Sequence, residues 1–472
     1  MNRSVLNKKI NKENIHALKR DRQHLTSFLH KQSDSAIIYL LEKLGRLESE
    51  FSSEPLVDLL KHSNETIRSL AIKNLAKVNA ISLLGVFAAS AKNDTSTEVR
   101  REAVSAIGRL RNEKAISILI DLVSDQDPKV VMQAIRGLLV FPTNIEAKKE
   151  LVKLKNHPNE LIKEIISKEV DNVSCVSVSS EHHDKFPLYL KNTIVHSDVM
   201  NVFKHIPDEA VHLTFTSPPY YNARDYSIYQ SYEEYLRFLE GVFLEVHRIT
   251  KEGRFFVLNT SPIIIPRISR AHASKRYAIP YDIHPYLIKM GWEFIDDIVW
   301  VKPEASAKNR NAGFLQHRKP LGYKPNAISE MVMVYRKKTG KLIDWNIRQY
   351  GSDKTKESRV LGKYETTNVW YISPAFNRFH KAVFPIELCE RVIKYYSFVN
   401  DLVFDPFAGI GTLGKAAIDL NRNYFLTEQE AQYVSHMKED FSKRSSLLRL
   451  DRVSPRFVNL ADFVMLCRKE NP

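Results

Sequence analysis

The spacing of apolar positions divides the chain near residue 170. Ahead of that point they recur every three or four residues, the period of a helix with one buried face. Three segments, "ETIRSLAIKNLAKV" (65–78), "TEVRREAVSAIGRL" (97–110) and "PKVVMQAIRGLLVF" (128–141), align at intervals of about 31 residues, within the range of helical solenoids. Ala71, Ala103 and Ala134 share one slot, and Leu75, Ile107 and Leu138 share the slot four residues on. Small side chains in the first slot let adjacent helices approach closely. The pattern predicts an all-α repeat domain over 35–172. The basic, weakly patterned segment 1–34 reads as a solvated tail or first helix. The stretch around "DNVSCVSVSSEHHDKF" is polar and serine-rich, so 173–189 reads as a linker. His182, His183 and Asp184 within it read as solvated side chains rather than metal ligands.

From residue 190 onward, period-2 runs alternate with helical ones. "NTIVHSD" (192–198) reads as a strand ending at Asp198, and "VHLTFT" (211–216) as a half-buried strand. Leu236, Leu239, Phe243 and Val246 follow at helical spacing. "KEGR" (251–254) reads as a turn leading into the strand "FFVLN" (255–259). A helix near 281–290 stops at Gly291, where a C-cap glycine is expected. "FIDDIVW" (294–300) and "EMVMVY" (330–335) look like further strands. "FPIELCERVIKYYS" sets Ile386, Cys389, Ile393 and Tyr396 on one helical face, with Pro385 at its start. This alternation predicts an α/β domain over 190–445, with an extension over 446–472.

Composition narrows the class. At 472 residues, 43% hydrophobic and 26% charged, the chain reads as a soluble globular protein of two or three domains. It holds no apolar run of about 18 residues, and its first residues lack the apolar region of a secretory signal. Cys175, Cys389 and Cys467 are scattered, which argues against a disulfide framework or a zinc site and suits a reducing cytoplasm. The formal net charge of +15 calls for a polyanionic partner, nucleic acid before membrane. Ten basic residues lie between Lys302 and Lys341, against only two acids, Glu304 and Glu330.

Two motifs carry chemistry. "VHLTFTSPPYYN" (211–222) ends a strand on Pro218 and Pro219, neither of which can donate a backbone hydrogen bond. Such a tip presents acceptors, the Ser217 hydroxyl and the Pro218 carbonyl, beside the aromatic face of Tyr220. That set suits an exocyclic amino group, with two N–H donors, on a base that stacks on a ring. "DLVFDPFAGIGTLGKAAIDLNRNYFLTE" (401–428) reads as strand, glycine turn, helix, strand and acid. That order builds an adenosine-binding crevice at the C-terminal edge of a parallel sheet. Gly409 and Gly411 are expected to let backbone approach the ligand, and Glu428 to accept hydrogen bonds from ribose hydroxyls. Gly409, Gly411 and Gly414 also spell GxGxxG, but a dehydrogenase reading leaves "DPF" and the paired prolines without a role.

"SPPY" with "DPFAGIGT" resembles the amino-methylating DNA methyltransferases, which modify cytosine N4 or adenine N6 using S-adenosylmethionine. The resemblance runs from about 190 to 440 and takes in "HSDV" (196–199), "NVWYI" (368–372) and "FHKAVFPIELCERVI" (379–393) in the expected order. The catalytic motif precedes the cofactor motif, which resembles the β arrangement of that family. Ser217 resembles the cytosine-N4 branch, since the adenine branch usually carries Asp or Asn there. Thr427 departs from the family, which more often has glycine before the acid. In the front third, "EVRREAVSAIGRL" resembles HEAT-type repeats of the phycobilisome-lyase subclass.

The resemblance implies a Rossmann-like S-adenosylmethionine-dependent methyltransferase domain preceded by an all-α HEAT-like solenoid. It implies a catalytic set of Ser217, Pro218, Pro219 and Tyr220. Cofactor contacts would come from Asp198, Asp405, Pro406, Phe407, Gly409, Gly411, Thr412 and Glu428, with no metal. The substrate would be double-stranded DNA, its target base flipped into the pocket. Region 304–370 is expected to read the sequence, with Arg318, Arg348 and Arg359 as candidates for base or phosphate contacts. A cognate restriction endonuclease fits the family as a partner. The repeats suit either a protein partner or a cap on the second domain. Adenine-N6 methylation, methylation of RNA or of a protein glutamine, and a non-catalytic DNA-binding scaffold are the alternatives. Carbon-5 methylation would need a cysteine nucleophile, typically after a proline, and none of the three cysteines follows one.

Overall fold

The structure is a computed structural model. It describes residues 12–47, 51–171, 183–221, 229–265, 269, 271–272, 274–306, 327–362, 364–377, 383–447 and 455–470. The chain forms two compact units, Met1–Val178 and Ser179–Pro472.

The first unit is helical throughout its described residues. Helices Glu65–Val78, Thr97–Arg109 and Pro128–Leu138 carry the repeat, and its alanine and leucine slots are fully buried. Asn64 caps the first, accepting from the Thr66 N–H, and Asp127 caps the third, accepting from the Lys129 N–H. A Cβ on Gly108 would lie 3.2 Å from the Gly137 Cα, so two repeat helices nearly touch at backbone level. Arg68 pairs with Asp94 at 2.8 Å and Arg100 with Asp125 at 3.0 Å, the same staple repeated one unit on. Of the tail or first helix expected over 1–34, the described residues from Lys12 are helical, and Leu18, Leu25 and Leu29 join the repeat core.

In the second unit, nine strands of the described residues form one sheet. In chain order the strands are β1 (Thr193–His196), β2 (Val211–Thr216), β3 (Thr250–Thr260), β4 (Ile263–Ile265), β5 (Lys275–Tyr277), β6 (Trp292–Val301), β7 (Ser329–Lys337), β8 (Val369–Tyr371), β9 (Leu402–Asp405), β10 (Asn423–Glu428) and β11 (Arg456–Asn459). The sheet order is β11-β1-β10-β9-β2-β3-β7-β6-β8, and β4 and β5 form a separate hairpin. From β11 to β3 every pairing is parallel, while β7 runs antiparallel to β3 and β6. The pairing of β2 with β9 (Leu213 opposite Val403) brings the two sequence motifs side by side although about 190 residues separate them.

Several expectations are corrected. β2 is buried along its whole length, His212 and Thr214 included, because apolar cores cover both faces of the sheet. "KEGR" is no turn. It lies inside β3, where the register slips between Val211 and Leu213 and Gly253 takes φ +66°. Helix Ile386–Tyr396 buries Leu388, Cys389, Val392 and Ile393, and Ile386 is exposed. His183 is half-buried rather than solvated. It meets the Trp345 ring edge-on, and its carbonyl lies 3.1 Å from the buried His212 Nε2. His182 and Cys175 lie outside the described residues. The expected extension supplies β11, and helix Leu460–Glu470 buries Phe463 and Cys467.

Candidate active site

β2, β9 and β10 run parallel and end on one edge, at Thr216, Asp405 and Glu428. Strand ends there leave backbone and side-chain groups free to face a crevice. A cavity of about 250 Å³ opens at this edge. Ser217, Pro218, Pro219 and Tyr220 line one side, and Asp198, Asp405, Pro406, Phe407, Gly409, Thr412 and Glu428 line the rest. Eleven of the twelve residues named for catalysis and cofactor contact therefore meet around one space. Phe384 and Tyr433 also line it. Sequence reasoning misses both, because lone aromatics after a basic stretch or within a polar helix carry no periodic signal.

Gly411 is the exception. It caps helix Thr412–Asp419 with φ +73°, and a Cβ there would lie 2.8 Å from the Met437 Sδ and 2.9 Å from Phe441. Its glycine is required by the turn and by the core behind it. Gly409 also has positive φ, +53°, and does face the cavity.

The acids are held by local donors. Thr216 Oγ1 donates to Asp405 Oδ1 at 2.6 Å, and the Phe407 N–H donates to the same oxygen at 3.0 Å. Glu428 accepts from the Gly409 N–H at 2.7 Å and from the Glu430 N–H at 2.9 Å. Burial pushes both carboxyls up to about 7, and these hydrogen bonds offset it only in part. Asp198 caps helix Val199–Phe203, accepting from the Met200 N–H at 2.7 Å. Thr427, the departure from the family pattern, donates from Oγ1 to the Pro406 carbonyl at 2.8 Å and so ties β10 to the turn after β9. Burial also raises the Tyr220 phenol well above its usual value, so it stays protonated.

Such a cavity fits a cationic nucleoside. Two buried carboxyls poised to lose a proton suit a positive charge, and the Phe384 and Phe407 rings offer an apolar wall for a heterocycle. Phe384 is itself stacked on the buried Phe215 at 4.7 Å between centroids. Among the described residues no cluster of histidine, cysteine and acid is arranged to hold a metal.

Of the DNA-contact candidates, the two among the described residues, Arg348 and Arg359, are not brought to this edge. Arg318 lies outside the described residues. Arg348 ends helix Ile343–Arg348, which is fastened to the start of β3 by the Asn346 amide donating to the Glu252 carbonyl at 3.0 Å. Arg359 follows Ser358, whose hydroxyl accepts from the Val399 N–H at 2.9 Å, just before β9. Both stand at the opposite edge of the sheet. Among the described residues of the basic stretch, four are also spent internally. Lys302 pairs with Glu330 and Lys341 with Glu252, Arg336 donates to the Gly253 carbonyl, and Lys337 to the Thr250 carbonyl.

The described family of DNA methylases matches residues 211–439, and HEAT repeats match residues 84–167. The type II methyltransferase M.ScaI of Streptomyces caespitosus is 31% identical over 245 residues, covering 48% of this chain and 72% of its own length. M.BglII of Bacillus subtilis, also a type II methyltransferase, is 29% identical over 263 residues, covering 53% of this chain and 68% of its own. A putative DNA modification methylase of Thermus thermophilus, solved with S-adenosyl-L-methionine, is similar with a TM-score of 0.43 and 24% identity, over 56% of this chain and 98% of that one.

Proposed function

The chain belongs to the amino-methylating DNA methylases that use S-adenosylmethionine, and from that premise we propose that it methylates the N4 amino group of cytosine in duplex DNA, as the modification enzyme of a restriction-modification system. The observation that carries this reading is the junction of β2 with β9. It gathers Ser217 and Pro218 around one cavity with Asp405 and Glu428.

When bound, S-adenosylmethionine supplies an electrophilic methyl group on a sulfonium. The chain's own residues do the rest. The cytosine amino nitrogen shares its lone pair with the ring and is a poor nucleophile. Ser217 Oγ and the Pro218 carbonyl each accept a hydrogen bond from that amino group. This favours a pyramidal nitrogen whose lone pair points away from the acceptors. Pro219 keeps the acceptors from turning. The Tyr220 ring takes one face of the flipped base. Asp405 and Glu428 hold the cationic donor, and Asp198, Pro406, Phe407, Gly409 and Thr412 close around it. Positioning of the two reactants accounts for much of the rate. Ser217 favours cytosine on the family pattern.

The test is direct. Full-length protein is incubated with tritiated S-adenosylmethionine and unmethylated plasmid DNA, and the product is digested to nucleosides. Label is expected in N4-methylcytosine. Label in N6-methyladenine would replace the cytosine assignment, and no label would leave a DNA-binding scaffold.

A further inference from the structure

Beyond the cavity wall, one carboxylate gathers three donors, from β3 and from just past the ends of β2 and β6. Glu330 opens β7, opposite Trp300 of β6, and its side chain is only 16% exposed. It accepts from the Lys302 ammonium, which follows β6, and from the Asn259 amide at 2.7 Å, near the end of β3. Its third donor is the Tyr220 hydroxyl, at 3.3 Å, on the loop that follows β2. Lys302 also lies over the Trp300 ring at 4.6 Å, and Asn259 is 2% exposed, so neither donor is free to swing. A charged acceptor held on two sides by immobile donors is a fixed point. The tyrosine phenol, which also meets the Ser217 and Ser261 side chains, is its partner from across the sheet.

We propose that Glu330 is a positioning residue for methyl transfer, setting the plane of the Tyr220 ring against which the target base stacks. The proposal rests on the reading of Tyr220 given above. Lys302 and Asn259 hold the carboxylate in place and do not touch the base. Glu330→Gln keeps the shape but weakens acceptance from the phenol. Glu330→Asp keeps the charge opposite Lys302 but draws the carboxylate back by one methylene.

A double-mutant cycle separates this role from a structural one. Initial rates of tritium transfer into unmethylated plasmid DNA are measured for Glu330→Gln, Tyr220→Phe and the double variant. Each single variant is expected to lower kcat about tenfold, and the double variant no further, with S-adenosylhomocysteine affinity unchanged by calorimetry. A double variant about a hundredfold slower would overturn the proposal, because the two residues would then act independently. So would full activity in Glu330→Asp, since a role in charge balance alone survives shortening. If Glu330→Gln does not fold, the Asp variant paired with Tyr220→Phe runs the same cycle. Full activity in Tyr220→Ala would instead refute the stacking role on which the proposal stands.

Discussion

At the scale of single residues, the proposed chemistry depends on a hydroxyl and two acids. Ser217→Ala removes one of the two acceptors proposed for the amino group and leaves every residue proposed for the cofactor in place. Transfer is expected to fall about 100-fold, the usual cost of one preorganised polar group, with S-adenosylhomocysteine affinity retained in calorimetry. Wild-type transfer in that variant would remove Ser217 from the mechanism. The acids give a pH dependence of definite sign. Asp405 and Glu428 sit near 7 because burial disfavours their charge, whereas a cation favours it. Cofactor binding should therefore release protons near neutral pH, and affinity should rise from pH 6 to pH 8 and then level off. Calorimetry in buffers of different ionisation enthalpy counts those protons. Glu428→Gln should release fewer. Uptake of protons on binding would contradict the assignment.

At the scale of elements, legibility in the sequence follows local repetition. The alanine and leucine slots of the three repeat helices, β9, the glycine turn and β10 all have short-range signatures, and all lie where the sequence puts them. Features set by distant partners are not legible. "KEGR" has turn composition, but it is the irregular stretch of β3 between residues paired on either side of it, Thr250 with Val211 and Phe255 with Leu213 and Arg336. Gly411 has the motif position of a ligand-facing glycine, but helix Ala431–Leu447 packs behind it. The cavity is legible because its residues cluster in two motifs. Lys302, Asn259 and Glu330 meet only through strand order. The repeat helices yield a stability prediction. Gly108 and Gly137 approach at backbone level, so Gly108→Val must push the helices apart. Overpacking of this kind costs about 1–3 kcal/mol. The thermal midpoint of the variant should drop accordingly, and an unchanged midpoint would show that the helices can separate freely.

At the scale of the second unit, the sheet separates chemistry from stability by edge. The cavity occupies the edge where β2, β9 and β10 end, and a buried polar network occupies the edge where β2, β3 and β9 begin. Asp401, fully buried, pairs with Arg254 and accepts from the Tyr350 hydroxyl at 2.7 Å and the Phe398 N–H at 2.8 Å. His212 Nδ1 accepts from the Leu402 N–H at 3.0 Å, which leaves its proton on Nε2. Burial by itself would raise the Asp401 carboxyl, but the Arg254 cation, with the hydrogen bonds from Phe398 and Tyr350, holds it down at about 2. A carboxyl depressed in the folded state contributes stability above its unfolded value near 4, and that contribution is lost as pH falls through about 2. Asp401→Asn leaves the Arg254 cation buried without its counter-charge, at a cost of about 3–5 kcal/mol. The variant should melt roughly 10 °C lower at pH 7, and its midpoint should fall less steeply than the wild type's between pH 4 and pH 2. Because the network stands at the edge away from the cavity, methyl transfer at 20 °C should stay within about twofold of wild type. Circular-dichroism melts across that pH range, with tritium transfer measured at 20 °C, test both halves together. A parallel pH slope would dissolve the ion pair's role, and lost transfer in a folded variant would show that the two edges are coupled.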